Sequence, residues 1–63
     1  MEEFLLRINT ENDAFRGENL RPELARILRD LANTIDGGFS LEGPIRDANG
    51  NKVGYWIQDE RED

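Results

Sequence analysis

Two alternating runs of apolar and polar residues lie on either side of a short turn sequence in the C-terminal half of the chain. The turn sequence is Asp47–Asn51, and the runs extend from Phe39 to Arg46 and from Lys52 to Asp59. Alternation of this kind around an Asn-Gly pair is typical of a β-hairpin. The register of the hairpin decides which side chains reach the core, because a shift of one residue turns a whole strand over.

Two registers are compatible with this hairpin. A two-residue turn at Asn49-Gly50 pairs Ile45 with Gly54, and it places the apolar residues of the two strands on opposite faces. A three-residue loop with Gly50 in the left-handed conformation pairs Ile45 with Val53 instead. Because the second register keeps the apolar residues of both strands on one face, we predict the second.

The N-terminal part predicts a strand followed by a loop. Within residues 2–9, Phe4, Leu6 and Ile8 alternate with other side chains, which is the pattern of a half-buried strand. The stretch that follows, to residue 19, is rich in Asn, Asp, Glu and Gly, and it contains one aromatic residue, Phe15. We therefore expect a surface loop that is attached to the core by Phe15.

Aliphatic residues at helical spacing predict a single helix. They are Leu20, Leu24, Ile27, Leu28, Leu31 and Ile35. Their spacing places them on one stripe of an α-helix, with Leu28 expected at its buried centre. Pro22 suits the first helical turn, and Gly37-Gly38 suits the left-handed cap at the C-terminal end.

These elements predict an α+β fold with the order β-α-β-β. A helix between the first two strands makes them parallel, and the third strand placed between them gives an antiparallel sheet of order 1-3-2. Pro44 is acceptable because the second strand is then an edge strand. We expect one domain over residues 1–58 and a disordered acidic tail over residues 59–63.

The predicted register divides the side chains of the sheet between two faces. Facing the helix are Phe39, Leu41, Ile45, Val53, Tyr55 and Ile57, with the apolar residues of the first strand. The uncovered face carries Leu5, Arg7, Glu42, Pro44, Arg46, Gly54, Trp56 and Gln58. A tryptophan on an otherwise polar open face, with a glycine beside its ring, is typical of a contact with a partner. The predicted partner-binding residues are Trp56, Leu5, Arg7, Pro44, Arg46 and Gln58; the alternative is that Trp56 covers Gly43 and Pro44 and shields the sheet.

Composition argues against an enzyme. The 63 residues include no cysteine and no histidine, and 14 acidic against 8 basic residues give a net charge of −6. Disulfides and histidine-based catalysis are thereby excluded, and most structural zinc sites lack their ligands. The loop Asp47–Asn51 is similar to the start of a calcium loop, but Lys52 stands where that motif needs glycine. We expect no catalysis, no cofactor and no metal, and the acidic charge opposes direct nucleic-acid binding.

The chain has no sequence feature of a membrane or secreted protein. Its longest apolar runs are only a few residues, and the N-terminus carries Glu2 and Glu3 where a secretory signal carries basic residues. We therefore expect no membrane segment and a cytoplasmic location.

Three segments together resemble a known group of proteins. Pro22–Ala32, the glycine pair Gly37-Gly38 and the hairpin sequence Gly43–Gly54 are similar to a group of small uncharacterised proteins encoded in bacteriophage and prophage genomes. The resemblance implies a phage origin and location in the host cytoplasm, and it carries no known activity. It favours a compact protein that binds and inhibits a host factor, such as a component of antiviral defence; mimicry of DNA by the acidic charge is one version of this hypothesis.

The sequence leaves three functions open. The first is a non-enzymatic interaction module that binds a host protein through the open face, with a homodimer through the same face as a further form. The second is an oligomeric protein that sequesters an anionic small ligand, such as a nucleotide signal, through arginines: Arg21, Arg26 and Arg29, or Arg7 and Arg46. The third is a structural accessory protein of a phage particle.

Overall fold

One helix packs against a three-stranded antiparallel sheet in the computed structural model, which describes residues 2–38 and 40–59. The elements are β1 (Glu3–Ile8), α1 (Leu20–Gly37), β2 (Glu42–Arg46) and β3 (Lys52–Asp59). β3 lies between β1 and β2, and it is antiparallel to both. The predicted α+β class, the element order β-α-β-β and the strand order 1-3-2 are therefore confirmed.

α1 begins and ends where its sequence predicts. Two single turns of 3₁₀ helix, Asp13–Phe15 and Gly17–Asn19, lead into it, and they carry Phe15 into the core with 3% of its surface exposed. The helix ends at Gly37 and is capped by Gly38, which has φ of 74° and donates its N–H to the Ile35 carbonyl at 3.1 Å. A left-handed residue at this position is easiest for glycine, which has no Cβ.

The core lies between the middle of α1 and the helix-facing side of the sheet. Its buried apolar residues are Phe15, Ile27, Leu31, Ile45, Val53 and Trp56. Leu28, predicted at the buried centre of the helix stripe, is 47% exposed, so that prediction is wrong. The stripe is wider than the face that meets the sheet, and its centre lies between Ile27 and Leu31 instead.

The hairpin has the predicted loop but not the predicted register. Gly50 is left-handed, with φ of 85°, and its N–H donates to the Asp47 carbonyl at 3.0 Å. Beyond the loop, Arg46 pairs with Lys52, but the next pair is Ile45 with Gly54. Val53 is thus an extra residue in β3, a β-bulge. From this bulge onward the strands pair as a two-residue turn at Asn49-Gly50 would pair them, which is the register that we did not predict.

The bulge changes which face each later residue of β3 occupies. Val53 and Trp56, three residues apart, both reach the core, with 7% and 3% of their surfaces exposed. Tyr55 and Ile57 are on the opposite side of the sheet, where Tyr55 is 46% exposed. The predictions of Trp56 on the open face and of Tyr55 and Ile57 in the core are therefore wrong, because an unforeseen extra residue reverses the alternation.

Three further expectations concern the ends of the sheet. Leu41, predicted in the core, is 56% exposed. Asp59 is the last residue of β3, so the strand continues one residue into the predicted tail. Phe39 and residues 60–63 lie outside the described residues. No helix in the described part of the chain has both the length and the apolar character that membrane crossing requires.

Candidate functional site

The side of the sheet that faces away from α1 is the strongest candidate for a binding surface. We call it the open sheet face, and its residues are Glu3, Leu5, Arg7, Glu42, Pro44, Tyr55, Ile57 and Asp59. The register places Ile57 between Leu5 and Glu42, and it places Tyr55 between Arg7 and Pro44. Leu5 is 43% and Tyr55 46% exposed. The apolar centre of this face is therefore open to a partner.

The structure divides the six predicted partner-binding residues between the two sides of the sheet. Leu5, Arg7 and Pro44 lie on the open sheet face, as predicted. Arg46 is exposed at the end of β2, and its guanidinium donates to the Gly50 carbonyl at 3.1 Å. Trp56 and Gln58 lie on the helix-facing side, because the bulge at Val53 reverses the orientation of the residues after it.

Trp56 works as a core residue. Its ring lies 6.1 Å from the ring of Phe4, and a Cβ added at Gly43 would lie 3.0 Å from its indole nitrogen. The contact with Gly43 is the one that our alternative for Trp56 predicted, but it forms on the helix-facing side of the sheet. A residue that is 3% exposed offers almost no surface to a partner, and Tyr55 takes its place on the open sheet face.

Charges are separated along the strands, on the open sheet face and beside it. Arg7 lies at the hairpin end of the sheet with Arg46 and Lys52, whereas Glu3 and Glu42 lie at the other end. None of the ion pairs found within residues 2–38 and 40–59 involves these five side chains. Their charges remain available to orient a partner on the surface.

A second apolar surface lies on the helix-facing side, where α1 ends. Phe4, Ile35 and Leu41 are 48%, 43% and 56% exposed there, and with Trp56 and Gln58 they line a cleft of about 680 Å³. Gly38 and Ser40 also line the cleft. These two residues flank Phe39, which lies outside the described residues.

The arginines of α1 are not equally available to an anionic ligand. Arg26 donates to both carboxylate oxygens of Glu23, at 2.7 and 3.1 Å, and to Asp30 at 2.8 Å. The same guanidinium also donates to the Arg46 carbonyl at 3.2 Å. Binding of a phosphate by Arg26 would require it to give up these contacts, so the predicted group Arg21, Arg26 and Arg29 does not form a ready anion site.

Two buried carboxylates tie the hairpin to the rest of the fold, a role that the sequence did not predict for them. Glu23 is 6% exposed and accepts the Ala48 N–H at 2.6 Å. Asp47 is 4% exposed and accepts the Asn12 side-chain amide at 3.0 Å, and the N–H groups of Asn49 and Asn51 at 2.9 Å each. An Asp at the first position of a type I turn is a recognisable sequence signal for such bonds.

The hydrogen bonds of these two carboxylates favour their charged forms. The side-chain hydrogen bond from Arg26 lowers the pKa of Glu23, and burial opposes this effect without reversing it. The hydrogen bond from Asn12 lowers the pKa of Asp47 against the same opposing effect of burial. Because the oxygens of Asp47 accept N–H groups, this carboxylate organises the turn rather than a cation. No group of three or more His, Cys, Asp or Glu in the described part of the chain is arranged to hold a metal ion.

Comparison with known proteins adds no functional assignment. No protein-family model, no curated protein and no solved structure matches this chain. The resemblance to bacteriophage and prophage proteins stays a prediction from the sequence.

Proposed function

We propose that this chain is a non-enzymatic interaction module that binds a partner protein through the open sheet face. The observation that carries the proposal is the row of Leu5, Ile57 and Tyr55, which is apolar, continuous across β1 and β3, and open to solvent at both ends. Tyrosine and arginine are the residue types most often found at the energetic centres of protein interfaces. Here Tyr55 lies directly beside Arg7.

The charge of the chain suggests the kind of partner. A net charge of −6 on 63 residues attracts a protein with a basic surface and speeds its encounter. The resemblance to phage-encoded proteins favours a host protein as the partner, and it favours inhibition of that protein, such as an antiviral-defence component, as the consequence. A structural role in a phage particle would use the same face, and the identity of the partner distinguishes the two functions.

Sequestration of an anionic small ligand has less support. Arg26 is engaged by two carboxylates, and Arg7 and Arg46 lie on different edge strands with β3 between them. Arg26 and Arg46 line one pocket, but Asp30, Glu42 and Asp47 line it as well, and their carboxylates oppose the binding of an anion there.

The proposal is tested by Tyr55→Ala, which removes one exposed side chain from the open sheet face. Wild-type protein, Tyr55→Ala and Leu28→Ala are immobilised side by side and exposed to host-cell lysate at moderate salt. Leu28 is a matched control, because it is 47% exposed on α1, away from the open sheet face. We expect one protein to be retained by the wild type and by Leu28→Ala, and to be lost from Tyr55→Ala.

Two measurements make the result specific to the face. Circular dichroism must show that all three proteins are folded, so that a loss of binding is not a loss of structure. A photo-crosslinking residue at position 55 should capture the same partner, and one at position 28 should not. Equal retention of every host protein by Tyr55→Ala and the wild type would refute the open sheet face as the binding surface.

A further inference from the structure

β1 has a full set of outward-facing backbone groups along the edge of the sheet. The Asn9 N–H donates to the Val53 carbonyl at 2.7 Å, which places the odd-numbered residues of β1 in hydrogen-bonded pairs with β3. The N–H and C=O groups of Phe4, Leu6 and Ile8 therefore face outward. Within the described residues, β3 is the only strand paired with β1.

The two edges of the sheet differ in how well they are protected from further pairing. β2, the other edge strand, carries Pro44, which has no N–H to offer to a further strand. Proline and bulges on an edge strand are common devices against the pairing of two chains. β1 contains neither, and its six residues form an uninterrupted strand. Its edge is therefore the one that can accept another strand.

The sequence of β1 is complementary to itself in one antiparallel register. Pairing centred on Leu5 places Glu3 opposite Arg7 of a second copy, and Phe4 opposite Leu6 of that copy. Two-fold symmetry repeats both pairs, and it places Leu5 opposite its own equivalent. Opposite charges and apolar residues in directly facing positions stabilise antiparallel strands.

The backbone geometry permits this register, and the side chains favour it over its neighbours. Outward-facing residues of one copy must pair with outward-facing residues of the other, and the Phe4–Leu6 pairs meet that condition. A shift of two residues in either direction places Leu5 opposite Arg7 or opposite Glu3. Both charge pairs are then lost, so the register centred on Leu5 is the most favourable.

We propose that two copies of this chain associate edge to edge through β1 in this register and form a continuous six-stranded antiparallel sheet. Phe4 and Leu5, which are 48% and 43% exposed in the single chain, then gain apolar neighbours across the junction. The same pairing joins the two open sheet faces into one surface, with the two Leu5 side chains at its centre. The association goes beyond the proposed function and does not depend on it.

A charge-swap series tests the register. Wild-type protein, Glu3→Arg, Arg7→Glu and the double variant Glu3→Arg/Arg7→Glu are compared by sedimentation velocity over a wide range of concentration. The double variant retains the wild-type net charge of −6, which controls for changes in overall repulsion. Each single reversal creates two like-charge pairs in the dimer, and we expect it to weaken dimerisation by at least about tenfold. The double variant should restore dimerisation.

A second readout locates the contact. Amide hydrogen exchange at Phe4 and Leu6 should slow as protein concentration rises, whereas exchange along β2 should not change. Glu42→Arg, a charge reversal on the other edge strand, should leave the dimerisation constant within about twofold of the wild type. A wild-type protein that stays monomeric at the highest concentration overturns the proposal, and so does a dimer in which the swap fails to restore association.

These outcomes are separable from those of the proposed function. A monomer that still captures a partner through Tyr55 removes the edge pairing and leaves the interaction module intact. A dimer that responds to the charge swap but captures no host protein supports the edge pairing and removes the interaction module.

Discussion

The position of α1 on the sheet leads to a sharp prediction about two leucines one turn apart. Leu31 is 6% exposed in the core, and Leu28 is 47% exposed at its margin. Leu31→Ala and Leu28→Ala are the same chemical change in the same helix, so their helix propensities change equally. The difference between their effects on the free energy of unfolding therefore reports how much more tightly Leu31 is buried and packed than Leu28.

The magnitudes follow from the exposed fractions. Leucine to alanine removes three carbon atoms, each worth about 0.8 kcal/mol when fully buried, or about 2.4 kcal/mol in total. Leu31 loses nearly all of this, and the cavity left in the core raises the cost to about 3–4 kcal/mol. Leu28→Ala loses about half of this burial energy, because Leu28 is about half exposed, and water fills the vacated space. We therefore expect it to cost about 1 kcal/mol.

Chemical denaturation can resolve this difference. A domain of this size is stable by only about 3–5 kcal/mol, so Leu31→Ala should be close to unfolding in water, whereas Leu28→Ala should unfold cooperatively. With a urea dependence of about 1 kcal/mol per molar, the two midpoints should differ by about 2 M. Circular dichroism at 222 nm and tryptophan fluorescence should give the same midpoints, because Trp56 reports on the same core. Equal midpoints, or a larger effect at Leu28, would show that α1 presents a different face to the sheet.

Two further predictions concern the sheet and the buried carboxylates. Gly54→Ala should abolish folding, because the new Cβ would overlap the carbonyl oxygen of Arg7 and lie 2.8 Å from the carbonyl carbon. Gly43→Ala should cost only about 1–2 kcal/mol, because its new Cβ meets the edge of the Trp56 ring at 3.0 Å. A Gly54→Ala protein that is folded in thermal melts would contradict this register. Glu23 has a pKa lowered from 4.5 by its arginine hydrogen bond, so its contribution is complete above pH 4.5 and is lost as pH falls through the folded-state pKa. The stability advantage of the wild type over Glu23→Gln should therefore be largest near neutral pH and narrow below pH 4.5, and a constant difference in urea titrations across that range would count against the assigned bonds.

The strand and helix positions were predictable from the sequence, because each depends on local pattern. The helical spacing of the α1 residues, the left-handed Gly38 and the turn at Asp47–Asn51 all carry their signals within a few residues. The order of the strands followed from the helix between β1 and β2, which makes these two strands parallel, and from the placement of the apolar β3 between them. These features need no knowledge of distant contacts.

The register of the hairpin depended on information that alternation does not contain. A bulge adds one residue to one strand, and the apolar pattern of β3 is compatible with either phase, because Val53, Tyr55, Trp56 and Ile57 are all able to face a core. One signal was present, since a glycine inside a strand often marks a bulge or a close approach of backbones, and Gly54 follows Val53 directly. The residues of the open sheet face were predicted only in part for the same reason: Leu5 and Arg7 precede the bulge in the chain, and Trp56 and Gln58 follow it.

The bulge at Val53 links the stability of the fold to the composition of the open sheet face. Without the extra residue, Val53, Tyr55 and Ile57 would share the helix-facing side, and Trp56 would lie outside. With it, the largest side chain of the chain fills the space over Gly43, and a smaller aromatic with a polar end, Tyr55, is left on the open sheet face. A buried tryptophan stabilises a core of so few residues more than a tyrosine can, and an exposed tyrosine is well suited to a wet interface. The same single residue therefore places the aromatic that holds the domain together and the aromatic that is available to a partner.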